Sequence, residues 1–213
     1  NNEDRYLVDD ELGLYVVCDG VGGNRGGEVA AQLAVATIRD VVAAAREELL
    51  EASGTRNGHE TLRRISTRAV RDACRAVYDA AAADSELSGM ACTATLLLIA
   101  GPRGAMAHVG DTRLYLSRDG GMWQISSDHT VAADMVRQSE LTPDAAHTHP
   151  YSNALTRAVG TQPTVMSEAL VLDVLPDDVF LLCSDGLSHY FPGLGELSSF
   201  LASEPVPALE RLV

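Results

Sequence analysis

Two short segments carry residue types suited to chemistry. One is Tyr15-Val16-Val17-Cys18-Asp19-Gly20, the other Phe180-Leu181-Leu182-Cys183-Ser184-Asp185-Gly186. In each, an apolar run that fits a strand ends in an Asp followed by Gly. A strand end holds a carboxylate at a fixed place, and the glycine lets the backbone turn close to whatever that carboxylate binds. Two such ends brought together form an oxygen-rich site for hard cations such as Mg²⁺ or Mn²⁺. Asp19 is the strongest candidate for a shared ligand, because one carboxylate can bridge two ions about 3.5–4 Å apart. The Gly20 carbonyl can add a neutral ligand, and Asp185 part of the second ion's shell. The expected nucleophile is a water deprotonated between two dications, which also neutralise charge on the phosphoryl oxygens of an ester. No Ser, Cys or His nucleophile is then needed.

Other residues have a bland reading and a functional one. Gly22, Gly23, Gly26 and Gly27 surround a predicted helix start. They suit either a phosphate cradle at a helix N-terminus or simple close approach of strand and helix, and close approach is favoured. Neither a P-loop lysine nor a dinucleotide-binding βαβ unit follows them. Asp111, in His108-Val109-Gly110-Asp111-Thr112-Arg113, reads on its own as a turn residue. His108 reads as a packed, hydrogen-bonded histidine. His147 and His149 share a loop without a partner at zinc spacing. Asp128-His129 reads as a helix N-cap pair.

These residues need elements to position them. Residues 5–8 and 14–18 read as strands joined by an acidic turn. Residues 28–52 read as one long helix and 61–83 as a second, linked by a polar loop and expected to pack antiparallel. Residues 93–100, 105–109, 113–117 and 122–125 read as consecutive short strands. Gly101-Pro102-Arg103-Gly104 and Arg118-Asp119-Gly120-Gly121 supply their hairpin turns. A short helix over 130–140, a loop over 143–151, strands over 165–174 and 179–183 and helical pieces over 195–213 complete the chain. Helices clustered on antiparallel strands imply an α+β layered fold.

Composition narrows the function class. The 213 residues fit one domain with a large core, and no internal repeat or linker interrupts them. A formal net charge of −14 argues against nucleic-acid binding, which depends on basic surface. No apolar run reaches the roughly 18 residues of a membrane span. Four cysteines without zinc or CxxC spacing suit buried thiols in a reducing, cytoplasmic setting.

Seven segments, in order, resemble the metal-dependent protein serine/threonine phosphatases of the PPM type (protein phosphatase 2C) in their bacterial form. They are Asn2-Glu3-Asp4, Asp19-Gly20-Val21-Gly22-Gly23 with Gly27-Glu28, Gly89-Met90-Ala91-Cys92-Thr93, Val109-Gly110-Asp111-Thr112-Arg113, Ser127-Asp128-His129-Thr130, His149-Pro150 through Leu155-Thr156-Arg157-Ala158-Val159-Gly160, and Cys183-Ser184-Asp185-Gly186-Leu187. The resemblance implies a central β-sandwich of two antiparallel sheets flanked by antiparallel helix pairs, a four-layer αββα arrangement. It implies hydrolysis of phosphoserine and phosphothreonine in signalling proteins at a di-manganese or di-magnesium site, by a monomer. Asp19 and Asp185 are the implied catalytic ligands, with Gly20 as a carbonyl ligand, Asp111 at a third, weaker ion and Glu3 in the outer sphere. Residues 142–153 match a flap beside the site, with His149, Ser152 and Asn153 toward substrate.

Three departures accompany the match. Val21 occupies a position where some members carry a histidine general acid. A phosphate-binding arginine that usually precedes Asn-Glu-Asp, and a final Gly-x-Asp-Asn segment that supplies another Asp ligand, fall outside the sequence. One phosphatase domain over 1–213, incomplete at both ends, is therefore expected. Two rival functions are a catalytically impaired binding module on the same fold and an aspartyl-phosphate phosphatase using Asp19 as nucleophile. The latter chemistry needs an acid two residues on, where Val21 stands.

Overall fold

A computed structural model describes residues 2–22, 26–55, 57–191 and 194–202. Residues Gly23 and 203–213, parts of two sequence-based expectations, lie outside the described set.

The principal sheet has five antiparallel strands. They are β1 (Arg5–Asp9), β2 (Leu14–Cys18), β5 (Ala94–Ala100), β6 (Arg103–Val109) and β9 (Glu168–Asp173), in that spatial order. A second sheet orders β10 (Val179–Cys183), β7 (Arg113–Arg118) and β8 (Gly121–Gln124), again antiparallel. A two-residue ladder joins β3 (Gly20–Val21) to β4 (Ala91–Cys92).

Side-chain alternation sorts the strands into layers. Ala94, Leu96 and Leu98 of β5 share a core with Leu14, Val16 and Cys18 and with the apolar stripes of two helices, α1 (Gly26–Ala44) and α3 (Gly58–Ala83). Leu97 and Met106 point the other way and meet Leu114, Phe180 and Leu182 between the two sheets. Because β5 is covered on both faces, its sequence is continuously apolar from Leu96 to Ala100 rather than alternating. Beyond the second sheet, Tyr115, Leu181 and Cys183 pack against Leu197 of α7 (Leu194–Ala202) and Leu187 of α6 (Asp185–Ser188). The expected four layers are present. Among the described residues the far helical layer is the smaller.

Two hairpins form where the turn residues predict them. Gly101, at φ +60°, and Pro102 make a two-residue loop between β5 and β6. Asp119 and Gly120, at φ +50° and +76°, make the other, and both central residues in the left-handed region match the right-handed strand twist.

Three expectations need correction. The helix predicted over 28–52 is two helices. The chain breaks at Ala45, whose amide closes a tight turn on Val42 at 3.0 Å, and resumes as α2 (Arg46–Ser53). The break turns Leu49 and Ala52 inward while Glu47, Glu48 and Glu51 face solvent. The loop predicted over 143–151 contains α5 (Pro143–His147), capped by Thr142, whose hydroxyl accepts from the Ala145 amide. A capping threonine followed by proline at the first helical position is a proper helix start. Likewise Thr130, rather than Asp128-His129, caps α4 (Val131–Arg137).

Candidate active site

The acidic residues gather where two strand ladders end. Strand β1 pairs with β2 so that Arg5 faces Cys18. One step further along that register sets Asp4 beside Asp19. In the second sheet β10 pairs with β7 so that Cys183 faces Arg113. Carried two residues on, that register brings Asp185 toward Asp111. The sandwich then stacks the two pairs against each other. Ser184 ties them together, donating its hydroxyl to the Asp4 carboxylate at 2.7 Å.

The electrostatics reflect this crowding. Burial, the charges of Asp4 and Asp185, a hydrogen bond with the Asp4 carboxyl and the charge of Asp111 together push Asp19 up to about 8. A free aspartate titrates near ~3.9. Each of these influences raises the value, and no cation is among them. Burial, Asp185 and Asp128 likewise push Asp111 up to about 6, with Arg113 offsetting part of the effect. A cluster of partly buried carboxylates centred on Asp19, whose crowding no neighbouring cation relieves there, suits a hard divalent ion.

The backbone around Asp19 is tightly held. Its amide donates to Thr93 Oγ1 at 2.9 Å, and the Thr93 amide donates to the Asp19 carbonyl at 2.8 Å. Gly20 is pressed against the start of α1. A Cβ there would lie 2.3 Å from the Gly27 carbonyl oxygen and 2.9 Å from the Glu3 carbonyl oxygen. Glycine at 20 and 27 therefore serves close approach, the reading favoured from the sequence for Gly27 but not made there for Gly20. The Glu3 carboxylate lies over Gly27, at the positive end of α1.

An open cleft of ≈ 650 Å³ is lined by Asp19, Gly20, Asp111 and Asp185, together with Asn153 and Leu155. A second cleft of ≈ 360 Å³ adjoins it, sharing Asp111, Asn153 and Asp185 and adding Ser152 and His147. Of the sequence candidates, Asp19, Gly20, Asp111 and Asp185 are brought together. Ser152 and Asn153 border the clefts. Glu3 sits behind Gly27, and His149 lines neither cleft; its Nδ1 accepts from the Tyr151 amide.

Sequence reasoning assigned no role to Asp4, Thr93 or Arg113, and read His129 only as part of a helix N-cap pair. Asp4 was visible in Asn2-Glu3-Asp4, and the pairing of β1 with β2 is the signal that selects it over Glu3. Arg113 forms a two-pronged, largely buried pair with Asp128, Nη2 to Oδ2 at 2.6 Å and Nε to Oδ1 at 3.0 Å. Burial disfavours charge on Arg113, but the Asp128 carboxylate outweighs it and keeps the guanidinium charged.

His108, His129 and Glu168 bring ligand atoms within 4.8 Å of one another. Their lone pairs are already engaged. His108 Nδ1 accepts from Thr95 Oγ1 at 2.8 Å and its Nε2–H donates to the Ser127 carbonyl at 3.1 Å. His129 Nδ1 accepts from the Gly110 amide, and the Glu168 carboxylate takes the amide and hydroxyl of Ser127. Burial first, then the neighbouring His129, lowers His108 to about 4, so the ring is neutral, as expected of a packed histidine. This group is a hydrogen-bonded network beneath the acidic cluster.

Comparison with known proteins points the same way as the geometry. The serine/threonine protein phosphatase PstP of Mycobacterium tuberculosis is 35% identical over 213 residues, all of this chain but 38% of PstP. The chain thus spans well under half of that relative's length. The serine/threonine phosphatase stp of Listeria innocua is 30% identical over 207 residues, covering 96% of this chain and 79% of stp. A crystal structure of the PstP catalytic domain in complex with two manganese ions superposes with a TM-score of 0.82 at 30% identity, covering all of this chain and 83% of that one. The profile of protein phosphatase 2C matches residues 1–210. Fold, acidic ladder ends and sequence agree, and the chain belongs to the protein phosphatase 2C family.

Proposed function

We propose that this chain hydrolyses phosphoserine and phosphothreonine in proteins, using two manganese or magnesium ions. The observation that carries the reading is Asp19 at the hub of four converging carboxylates, raised to about 8 by burial and by the charges of Asp4, Asp185 and Asp111. The names of the bacterial relatives and the two manganese ions of the PstP domain support it. They weigh against the binding-only alternative.

Asp19 would hold both ions, with the Gly20 carbonyl on one and Asp185 on the other. Asp4 would accept from a water ligand while Ser184 fixes its orientation. Asp111 would serve a third ion and Glu3 the outer sphere. When bound, such ions lower the pKa of a coordinated water and offset charge on the phosphoryl oxygens. The chain's own task is to hold these carboxylates close despite their repulsion. With Val21 at the position of the histidine found in some family members, a water or another group would protonate the leaving group. Asn153, which lines both clefts, and Ser152, which lines the smaller, would contact the peptide on either side of the phosphoresidue, with His149 acting through the shape of the 142–153 segment.

Phosphorylated proteins are the proposed substrates. Four buried, free cysteines support a reducing, cytoplasmic setting. No helix among the described residues is long and apolar enough to cross a membrane. The acidic balance supports action without nucleic acid, and we take the active unit to be a monomer.

The test is hydrolysis of a phosphothreonine peptide with and without Mn²⁺, comparing wild type with Asp19→Asn. The expected outcome is loss of manganese-dependent turnover with the fold retained. Turnover undiminished in the variant would overturn the assignment.

A further inference from the structure

We infer that His129 is a positioning residue for Asp111, acting through the backbone of Gly110. The inference rests on the proposed role of Asp111 at an ion, and extends it to a histidine that touches no reacting atom.

Gly110 links the end of β6 to Asp111, and His129 takes both of its polar backbone groups. The Gly110 amide donates to His129 Nδ1 at 3.1 Å, and the His129 amide donates to the Gly110 carbonyl at 2.7 Å. Gly110 is buried with φ +109°, a conformation that side chains rarely adopt. On its other side it meets Thr93. A Cβ at Gly110 would lie 2.5 Å from Thr93 Cγ2, and Thr93 is the residue that clamps Asp19. The peptide before Asp111 is thus wedged between the clamp of Asp19 and the ring of His129.

The ring itself is fixed. It stacks on His108 with centroids 4.8 Å apart and planes 26° apart, and the residue is 4% exposed. The Thr156 amide donates to the His129 carbonyl at 2.8 Å, anchoring the residue to the segment that leads from the clefts. A ring nitrogen that accepts an amide N–H must be unprotonated, so the proton of the neutral ring sits on Nε2. The Arg157 Nη1 lies 3.4 Å from that nitrogen. Burial, then the Arg157 and Arg137 charges, lowers His129 to about 4, which keeps Nδ1 free to accept.

A neutral histidine that accepts from one backbone amide is replaceable by any side chain that puts an acceptor at the same point. Asn carries Oδ1 where His carries Nδ1; Gln carries its oxygen farther out. Removing the acceptor leaves the Gly110 N–H buried and unpaired, free to rotate the peptide and swing Asp111.

The experiment compares wild type, His129→Asn, His129→Gln, Asp111→Asn and the double variant Asp111→Asn/His129→Gln. Two quantities are read: the manganese concentration for half-maximal hydrolysis of p-nitrophenyl phosphate, and manganese bound per chain, counted from the loss of free Mn²⁺ EPR signal. Tm in EDTA reports the fold. Supporting residues behind metal ligands typically cost about 10–100-fold in ion affinity when changed, so His129→Gln should need about tenfold more manganese. His129→Asn should lie near wild type. The double variant should need no more manganese than Asp111→Asn, because both changes act on one group. Should the two losses multiply, or should His129→Gln lower Tm with unchanged manganese dependence, the inference is overturned. An Asp111→Asn protein with wild-type manganese dependence would instead remove the ion role of Asp111, a separate failure.

Discussion

Asp19 and Thr93 face each other beyond the paired residues of the second and fifth strands, where a side chain replaces one backbone acceptor. Val17 faces Thr95 and Gly20 faces Cys92, so an unbroken register sets Asp19 opposite Thr93. One of the two backbone bonds is kept, Thr93 N to Asp19 O at 2.8 Å; for the other, the Asp19 amide turns to the threonine hydroxyl at 2.9 Å. The side chain thereby fixes the peptide plane from which the central carboxylate springs.

Thr93→Val removes that acceptor from a nearly fully buried position and leaves the Asp19 amide unpaired. The expected cost is about 1–3 kcal/mol in urea unfolding, together with weaker manganese binding. Thr93→Ser should restore both. Equal losses in the two variants would show that the methyl group matters rather than the hydroxyl.

Metal-free stability should fall as pH rises. Asp19 and Asp111 hold protons in the folded chain up to about 8 and about 6, whereas the unfolded chain releases them near ~4. The folded state therefore binds more protons across this window, and its advantage is lost as pH climbs through it. Cations need the deprotonated forms, so their affinity rises over the same range. The Tm difference between excess Mn²⁺ and EDTA should widen from about pH 5.5 to about pH 8. A constant difference would contradict the assignment of these carboxyls to the ion site.

Asp19→Asn should have opposite effects with and without metal. In EDTA at about pH 8 it removes one charge from the crowded cluster, so Tm should equal or exceed that of wild type. With manganese it should gain far less stability than wild type. A variant that loses stability in EDTA would point to a packing role for the carboxylate.

Arg113→Met leaves the Asp128 carboxylate largely buried without its partner. Breaking such a pair typically costs about 3–5 kcal/mol, while replacing both members by apolar groups is often near neutral. Arg113→Met/Asp128→Leu should therefore recover much of the stability lost in the single variant, as measured by urea midpoints.

Gly20→Ala places a methyl 2.3 Å from the Gly27 carbonyl oxygen, which belongs to helix backbone that does not yield easily. The expected cost is about 1–3 kcal/mol. Because Gly20 adjoins Asp19, manganese affinity should fall with it. Unchanged affinity would separate helix seating from the ion site.

Much of the site was legible in the sequence, because a strand-like run ending in Asp-Gly announces both a position and a chemistry. Asp19 and Asp185 could be named this way, and the hairpins at 101–102 and 119–120 followed from their turn residues. Asp4 could not be separated from Glu3 without the pairing of the first two strands, since register and not composition decides which carboxylate meets Asp19. His129 was legible only as a helix neighbour. Its bond to Gly110 crosses 19 residues of chain and involves a backbone amide that no side-chain pattern encodes. The break at Ala45 lies in an alanine-rich stretch with no proline or glycine, where only packing of the following helix reveals it. The helix over 143–147, by contrast, was missed although Thr142-Pro143 marked its start.

The four carboxylates belong to residues 4, 19, 111 and 185, spread over most of the chain's length. No fragment holds a working set, and a half-assembled chain meets their mutual repulsion before it gains a compensating ion. On the proposed assignment, divalent cations would bind only the complete set and so reward full assembly alone. In a cell short of manganese, the amount of intact protein, and not merely its specific rate, would track the supply of the ion.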